Sequence, residues 1–227
     1  MNTRGLLEMT WQDTCFLHWP MAPDELATHL PDGLSPATYK GDAWVGVVAF
    51  EMAGISPRGL PVSLSFPELN LRTYVDGPSG PGVLFFNLDA DDKLGVSVAR
   101  RLFRLPYYQA DGQIRRTDAG VTFASTRTHD GVPSAAFDAT YRRVGDSDTV
   151  EPGSLAAFLV ENYRFYASGR RLLAGEINHD PWQLSDGKVD VRQNTLFQAS
   201  DMANPNGPPI VHVADDIRVT AGRPEFA

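Results

Sequence analysis

A predicted strand over residues 65–75 carries the side chains best suited to chemistry. In SFPELNLRTYV, alternation places one group of polar and amphipathic side chains on the same face: Glu68, Asn70, Arg72 and Tyr74. A carboxyl group can act as a general acid or base, and a guanidinium can pair with a substrate carboxylate. At the rise of a strand, Glu68 and Arg72 lie about 13 Å apart, which leaves room for a small metabolite.

The environment of this face has two interpretations. Antiparallel sheets commonly expose one face, so the alternation favours a solvated row of side chains. Inside a barrel, the same residues would instead line the lumen and hold a carboxylate substrate. The alternation is identical in both cases, and the sequence therefore leaves the lumen as the alternative to solvent.

The stretch ARRLFRLPYYQA (99–110) joins three arginines to Pro106, Tyr107 and Tyr108. Such a segment can bind nucleic acid, form ordinary core or make one wall of a pocket. The net charge of the chain is −8, whereas nucleic-acid-binding domains usually present a basic surface. Composition therefore argues against a nucleic-acid partner and leaves the other two interpretations.

The histidines and the cysteine give no metal-binding pattern. Five histidines are scattered without a ligand spacing such as His-x-x-x-His: His18, His29, His129, His179 and His212. Cys15 is the only cysteine and lies in the apolar run CFLHW, which is typical of a buried, inert thiol. No glycine-rich phosphate loop follows a strand. We therefore predict no metal and no cofactor.

The stretch EINHDPW (176–182) contains further candidates, His179 and Trp182. It is either the end of a strand with a turn-forming Asp-Pro or a polar cluster at the rim of a pocket. The residue types fit both interpretations equally well.

The elements that position these residues are predominantly strands. They are predicted within 42–52, 65–75, 82–90, 113–128, 135–145, 169–184, 189–198 and 209–222. The pair in 113–128 forms a hairpin that turns at Asp118-Ala-Gly. Helices are predicted within 22–34, 92–103 and 151–168, and the last is expected to pack outside the sheet. The pattern predicts a single β-rich α+β domain over 1–227, built on a barrel or a large twisted sheet.

The chain shows no apolar run of the roughly 20 residues that span a bilayer, and its first residues do not resemble a signal peptide. With a single cysteine, these features indicate a cytoplasmic protein without a membrane partner. The sequence leaves a homo-oligomer open.

The chain resembles the YqjF-like proteins of the acetoacetate-decarboxylase-like superfamily. The matching stretches occur in order: FLHW (16–19), LPDGL (30–34), YKGDAWVGVVAFEMAGISPRGLP (39–61), FPELNLRTYV (66–75), GVLFFNLDA (82–90), ARRLFRLPYYQA (99–110), GSLAAFLVENYRFYA (153–167) and INHDPWQL (177–184). The resemblance implies a closed conical β-barrel, with a pocket inside and a few external helices.

The same resemblance bears on the chemistry. The decarboxylase uses a Pro-Lys-Lys element whose lysine forms a Schiff base with a keto acid. Here Pro106 is kept, but Tyr107 and Tyr108 replace both lysines. The three lysines of the chain are each flanked by turn residues, which predicts exposed, protonated amines: Lys40, Lys93 and Lys188. The resemblance therefore implies a pocket without Schiff-base chemistry.

The resemblance implies that Glu68 corresponds to a pocket glutamate of the decarboxylase. A second pocket glutamate of that enzyme corresponds to an apolar position near Val48 and is therefore absent from this chain. Two hypotheses follow. In the first, an enzyme acts as a lyase, hydratase or isomerase on a small oxo acid, with Glu68 and Tyr107 as catalytic residues. In the second, the barrel binds a small ligand without catalysis. The remaining residues expected to contact the ligand are Arg72, Tyr108, Trp44, His18, His179 and Trp182. A raised pKa of Glu68 in a closed cavity would favour catalysis.

Overall fold

Strands dominate the fold, which we describe from a computed structural model for residues 6–57, 63–92, 96, 104–168 and 171–227. The strands are β1 (Leu7–Met21), β2 (Ser35–Pro36), β3 (Ala43–Pro57), β4 (Leu64–Gly77), β5 (Gly80–Ala90), β6 (Tyr107–Thr117), β7 (Gly120–Arg127), β8 (Ala136–Thr149), β9 (Arg164–Ala167), β10 (Leu173–Asn178), β11 (Gln183–Asn194), β12 (Ile210–Ala214), β13 (Ile217–Ala221) and β14 (Glu225–Phe226). These strands confirm the predicted β-rich class.

The predicted hairpin is formed by β6 and β7. Thr117 pairs with Gly120 across the turn. Gly120 has φ of +129°, a conformation that residues with a Cβ rarely adopt, and a Cβ there would clash with the backbone oxygen of Tyr141. Glycine therefore fixes the position at which this hairpin turns.

The strand pairings close two rings that share β1, β3, β4 and β5. On the free edge of β1, residues 7–11 pair with β13 and residues 15–18 pair with β12. On the free edge of β5, residues 83–84 pair with β9 and residues 88–90 pair with β6. The chain β5-β9-β10-β13-β1 closes ring A, and the chain β5-β6-β7-β8-β11-β12-β1 closes ring B. This architecture agrees with the predicted barrel-like fold.

Because the two rings share β4, both faces of this strand are enclosed. Glu68, Asn70 and Arg72 are buried on the side of ring A. Leu69 and Leu71 belong to a separate apolar core on the other side. The expectation that the polar face is solvated is therefore wrong, because ring A closes over a face that an open antiparallel sheet would expose.

The described residues also include two short α-helices, α1 (Pro23–Ala27) and α2 (Leu155–Val160), and a 3-10 helix at Gln198–Ser200. Ser154 begins α2, since its hydroxyl accepts a hydrogen bond from the backbone N–H of Ala157 at 3.1 Å. The predicted helix over 151–168 is wrong in length, because residues 164–167 form β9 and pair with β5 and β10. This strand contains Phe165 and Tyr166, and aromatic residues are enriched in strands.

The helix α2 packs against ring A, because its Leu159 carbonyl contacts Arg72 and its Val160 lines the cavity of this ring. The helix predicted over 92–103 lies outside the described residues except for Asp92 and Val96. No helix in the described part of the chain is long and apolar enough to cross a membrane.

Candidate functional site

Ring A encloses a cavity of about 120 Å³. Much of its lining is aromatic, from Trp11, Phe50, Phe85, Phe165 and Trp182. Its size is close to that of an engineered protein cavity of about 150 Å³ that binds benzene. The cavity therefore suits a small molecule of a few heavy atoms.

Glu68 is the acidic group of the cavity, and its side chain is nearly inaccessible to solvent. The hydroxyl of Tyr107 donates to Glu68 Oε2 at 2.9 Å, and the Asn70 side chain also bonds to this carboxyl group. Burial raises the pKa of Glu68 to about 7, and the two hydrogen bonds oppose this shift. A carboxyl group with such a pKa can both donate and accept a proton near neutral pH.

Tyr107 remains the donor in this pair. Burial, together with the charge of Glu68, holds the pKa of the Tyr107 hydroxyl well above its ordinary value. Tyr107 and Glu68 both line the cavity. The structure thus places the two residues together in one cavity, and their catalytic role stays a prediction.

Arg72 places a cation in the same cavity. Its Nη2 donates to the carbonyl oxygen of Leu159 at 3.2 Å, and its guanidinium lies 5.3 Å from the ring centre of Phe16. None of the ion pairs among the described residues includes Arg72, and its Nε has no hydrogen-bond partner. Burying a charge without an opposite charge is unfavourable, so this position favours an anionic ligand.

His18 supports the arginine from outside the cavity. Its Nε2 lies 2.6 Å from the hydroxyl oxygen of Tyr74, which in turn bonds to Arg72. Burial, followed by the charge of Arg72, holds the pKa of His18 well below its ordinary value. His18 is fully buried and does not line the cavity, so the structure does not bring it to the position expected of a ligand contact.

His179 and Trp182 line the cavity, as the rim interpretation of EINHDPW requires. The two rings are 5.2 Å apart, and His179 also stacks on Tyr163 at 4.5 Å. The backbone N–H of Trp182 donates to Glu161 Oε1 at 2.8 Å, and this bond links residues 176–182 to the end of α2. Direct contact of either side chain with a ligand stays a prediction.

Tyr108 and Trp44 are not brought to the cavity. Successive residues of a strand point to opposite faces, so Tyr108 lies away from Tyr107, with its ring 4.4 Å from the guanidinium carbon of Arg127. Trp44 is buried in the apolar core on the ring A side without lining the cavity. The prediction that both tyrosines face one cavity is therefore wrong for Tyr108.

Trp11 was not predicted as a residue of the site. It lines the cavity with Leu7 and Met9, and its ring lies 5.1 Å from Phe50. The alternation of LLEMTWQ already carried the signal, because Leu7, Met9 and Trp11 must share one face of a strand.

Lys40, Lys188 and the cysteine lie away from the site. Lys40 and Lys188 are exposed, and neither lines the cavity; Lys93 is outside the described residues. Cys15 is fully buried and burial raises the pKa of its thiol, which confirms the expected inert environment. Across the described ranges, no group of three or more His, Cys, Asp or Glu side chains is placed to hold a metal ion.

The fold is that of the acetoacetate-decarboxylase-like proteins. Enduracididine biosynthesis enzyme MppR, in a complex with pyruvate, superposes with a TM-score of 0.66 at 12% identity and covers 97% of this chain and 89% of that chain. Acetoacetate decarboxylase from Legionella pneumophila subsp. pneumophila str. Philadelphia 1 gives 0.63 at 12% identity, covering 100% of this chain and 90% of that chain.

The chain belongs to the DUF2071 family of uncharacterized conserved proteins, whose model matches residues 8–218. It is 38% identical over 213 residues to the uncharacterized protein YqjF of Bacillus subtilis (strain 168), covering 92% of this chain and 87% of that protein. The resemblance seen in the sequence is thus confirmed.

Proposed function

We propose that this protein binds a small carboxylic acid in the cavity of ring A and that Glu68 carries out acid–base chemistry on it without a Schiff base. One observation carries the proposal: the buried guanidinium of Arg72 has no acidic partner among the described residues, and it shares a cavity with a carboxyl group whose pKa is about 7. The guanidinium would hold the ligand carboxylate, and Glu68 would exchange a proton at another atom of the ligand.

Small 2-oxo acids fit this pair of groups best. They combine a carboxylate with a carbonyl oxygen, which protonated Glu68 can reach as a hydrogen-bond donor. A cavity of about 120 Å³ limits the ligand to a few heavy atoms. Pyruvate, with which MppR forms a complex, belongs to the same chemical class. The net charge of −8 makes a nucleic-acid partner unfavourable.

A non-catalytic binding barrel is the second candidate. The aromatic and aliphatic lining of the cavity favours it, because such surfaces bind small molecules without chemistry. The raised pKa of Glu68 favours the enzyme. Turnover that disappears in Glu68→Gln while binding persists would establish the first candidate, and binding alone would establish the second.

Calorimetric titration tests the proposal with pyruvate and 2-oxobutyrate at pH 6. We expect the wild type to bind at least one of these acids and Arg72→Met to lose at least tenfold in affinity, because the variant keeps the length of the side chain but not its charge. Arg192→Gln is the matched control, since Arg192 forms an exposed pair with Asp138. Absence of binding to the wild type, or equal affinity of Arg72→Met, would refute the proposal.

A further inference from the structure

The hydrogen bond of His179 identifies its protonated nitrogen. Nδ1 lies 2.7 Å from the backbone carbonyl oxygen of Asp180. A carbonyl oxygen accepts but cannot donate, so the neutral ring carries its proton on Nδ1. Nε2 then holds the lone pair, and none of the hydrogen bonds among the described residues involves it. A ring that lines the cavity is thus left with one free acceptor.

Packing holds this ring in place. Tyr163 stacks on it at 4.5 Å with an interplanar angle of 28°, and Trp182 lies at 5.2 Å. The charged groups that act on His179 are Glu161, Asp180 and Arg72. Burial lowers the pKa of the imidazole, against the opposite influence of the Asp180 carbonyl and of Glu161. The ring is therefore neutral at pH 7, with Nε2 unprotonated.

We infer that Nε2 of His179 is the proton acceptor of the site and that it works with Glu68 to interconvert a bound 2-oxo acid with its enol. This inference rests on the proposed function. Both groups line one small cavity, and they belong to different walls: Glu68 to β4, and His179 to the segment that follows β10. A base and an acid on different walls are the arrangement that proton transfer next to a carbonyl group requires.

The step is balanced without a further reactant. The bond between C3 and its hydrogen breaks, and Nε2 of His179 takes the proton. The released electron pair forms a C2=C3 double bond, and the carbonyl π pair moves to the C2 oxygen as that oxygen takes the proton of Glu68. The reverse step restores the oxo acid, and Arg72 holds the carboxylate throughout.

Exchange of the methyl protons of pyruvate for deuterium tests the inference. The wild type is incubated with pyruvate in D₂O at neutral pD, and the methyl signal is followed by proton NMR. His179→Asn removes Nε2 but keeps an amide N–H that can donate to the Asp180 carbonyl. We expect the exchange rate to fall about 100-fold or more in this variant, with pyruvate affinity within threefold of wild type. His29→Gln, at a histidine away from the cavity, should exchange at the wild-type rate.

The arms of this experiment separate the two proposals. Binding of pyruvate without exchange, or exchange that His179→Asn leaves unchanged, would overturn the role of His179 and leave the proposed function standing. Failure of pyruvate and 2-oxobutyrate to bind would overturn both. Glyoxylate has the same carboxylate and carbonyl groups, so it should compete with pyruvate for the site. It has no C3 hydrogen, so it cannot undergo the exchange.

Discussion

The hydroxyl of Tyr107 donates to Oε2 of Glu68 at 2.9 Å within a cavity that also contains Arg72. This bond favours the charged form of the carboxyl group and opposes the effect of burial. Tyr107→Phe should therefore raise the pKa of Glu68 further, from about 7 by about one unit, since a hydrogen bond to a charged group contributes about 1.5 kcal/mol or more. Carbon-13 NMR of labelled glutamate measures the shift. An unchanged or lower pKa would contradict the assigned bond.

Glu68 should make the stability of the fold depend on pH. Its folded pKa of about 7 lies above its ordinary value of 4.5, so the folded state binds more protons than the unfolded state between these values. Its stabilising contribution is complete below pH 4.5 and is lost as pH rises through 7, by about 3 kcal/mol in total.

The matched variant for this effect is Glu68→Gln, which cannot ionise. Urea unfolding of both proteins at intervals from pH 5 to pH 9 should show the free energy of unfolding of the wild type falling relative to the variant. A difference that stays constant with pH would mean that Glu68 is ionised throughout.

Gly46 leaves the space that the His18 ring occupies. A Cβ at this position would lie 2.7 Å from His18 Cδ2 and 3.4 Å from the Tyr74 hydroxyl oxygen. Gly46→Ala should therefore lower the free energy of unfolding by about 1–3 kcal/mol. It should also weaken pyruvate binding, because displacement of His18 would disturb Tyr74, which bonds to Arg72. Gly222→Ala is the control, because its Cβ would meet its nearest atom, the Glu176 oxygen, at 3.7 Å. Equal stability of the two variants would show that the His18 ring moves aside freely.

A keto acid should form no Schiff base with this protein. Lys40 and Lys188 are exposed, so their amines lack the apolar pocket that lowers the pKa of a lysine nucleophile. Borohydride reduction in the presence of acetoacetate or pyruvate should leave the protein mass unchanged by mass spectrometry. A reduced adduct on Lys40, Lys93 or Lys188 would contradict this expectation.

Several strands could be predicted from the sequence because their alternation is local, as the hairpin turning at Asp118 shows, but β1 (Leu7–Met21) was not among the predicted strands. The burial of Glu68 and Arg72 could not, because alternation is the same whether a face meets solvent or a closed ring. The helix predicted over 151–168 ends at Val160 in the structure. Phe165 pairs with two other strands, and these pairings outweigh the helical pattern of the sequence. Tyr108 was misplaced because adjacency in the chain was taken for adjacency in space.

Crystals soaked in pyruvate would test the central claim most directly. We predict electron density for pyruvate within ring A, with its carboxylate at hydrogen-bonding distance from the guanidinium of Arg72 and its carbonyl oxygen facing Glu68. Pyruvate bound only outside ring A, or bound within it with the carboxylate turned away from Arg72, would contradict the account.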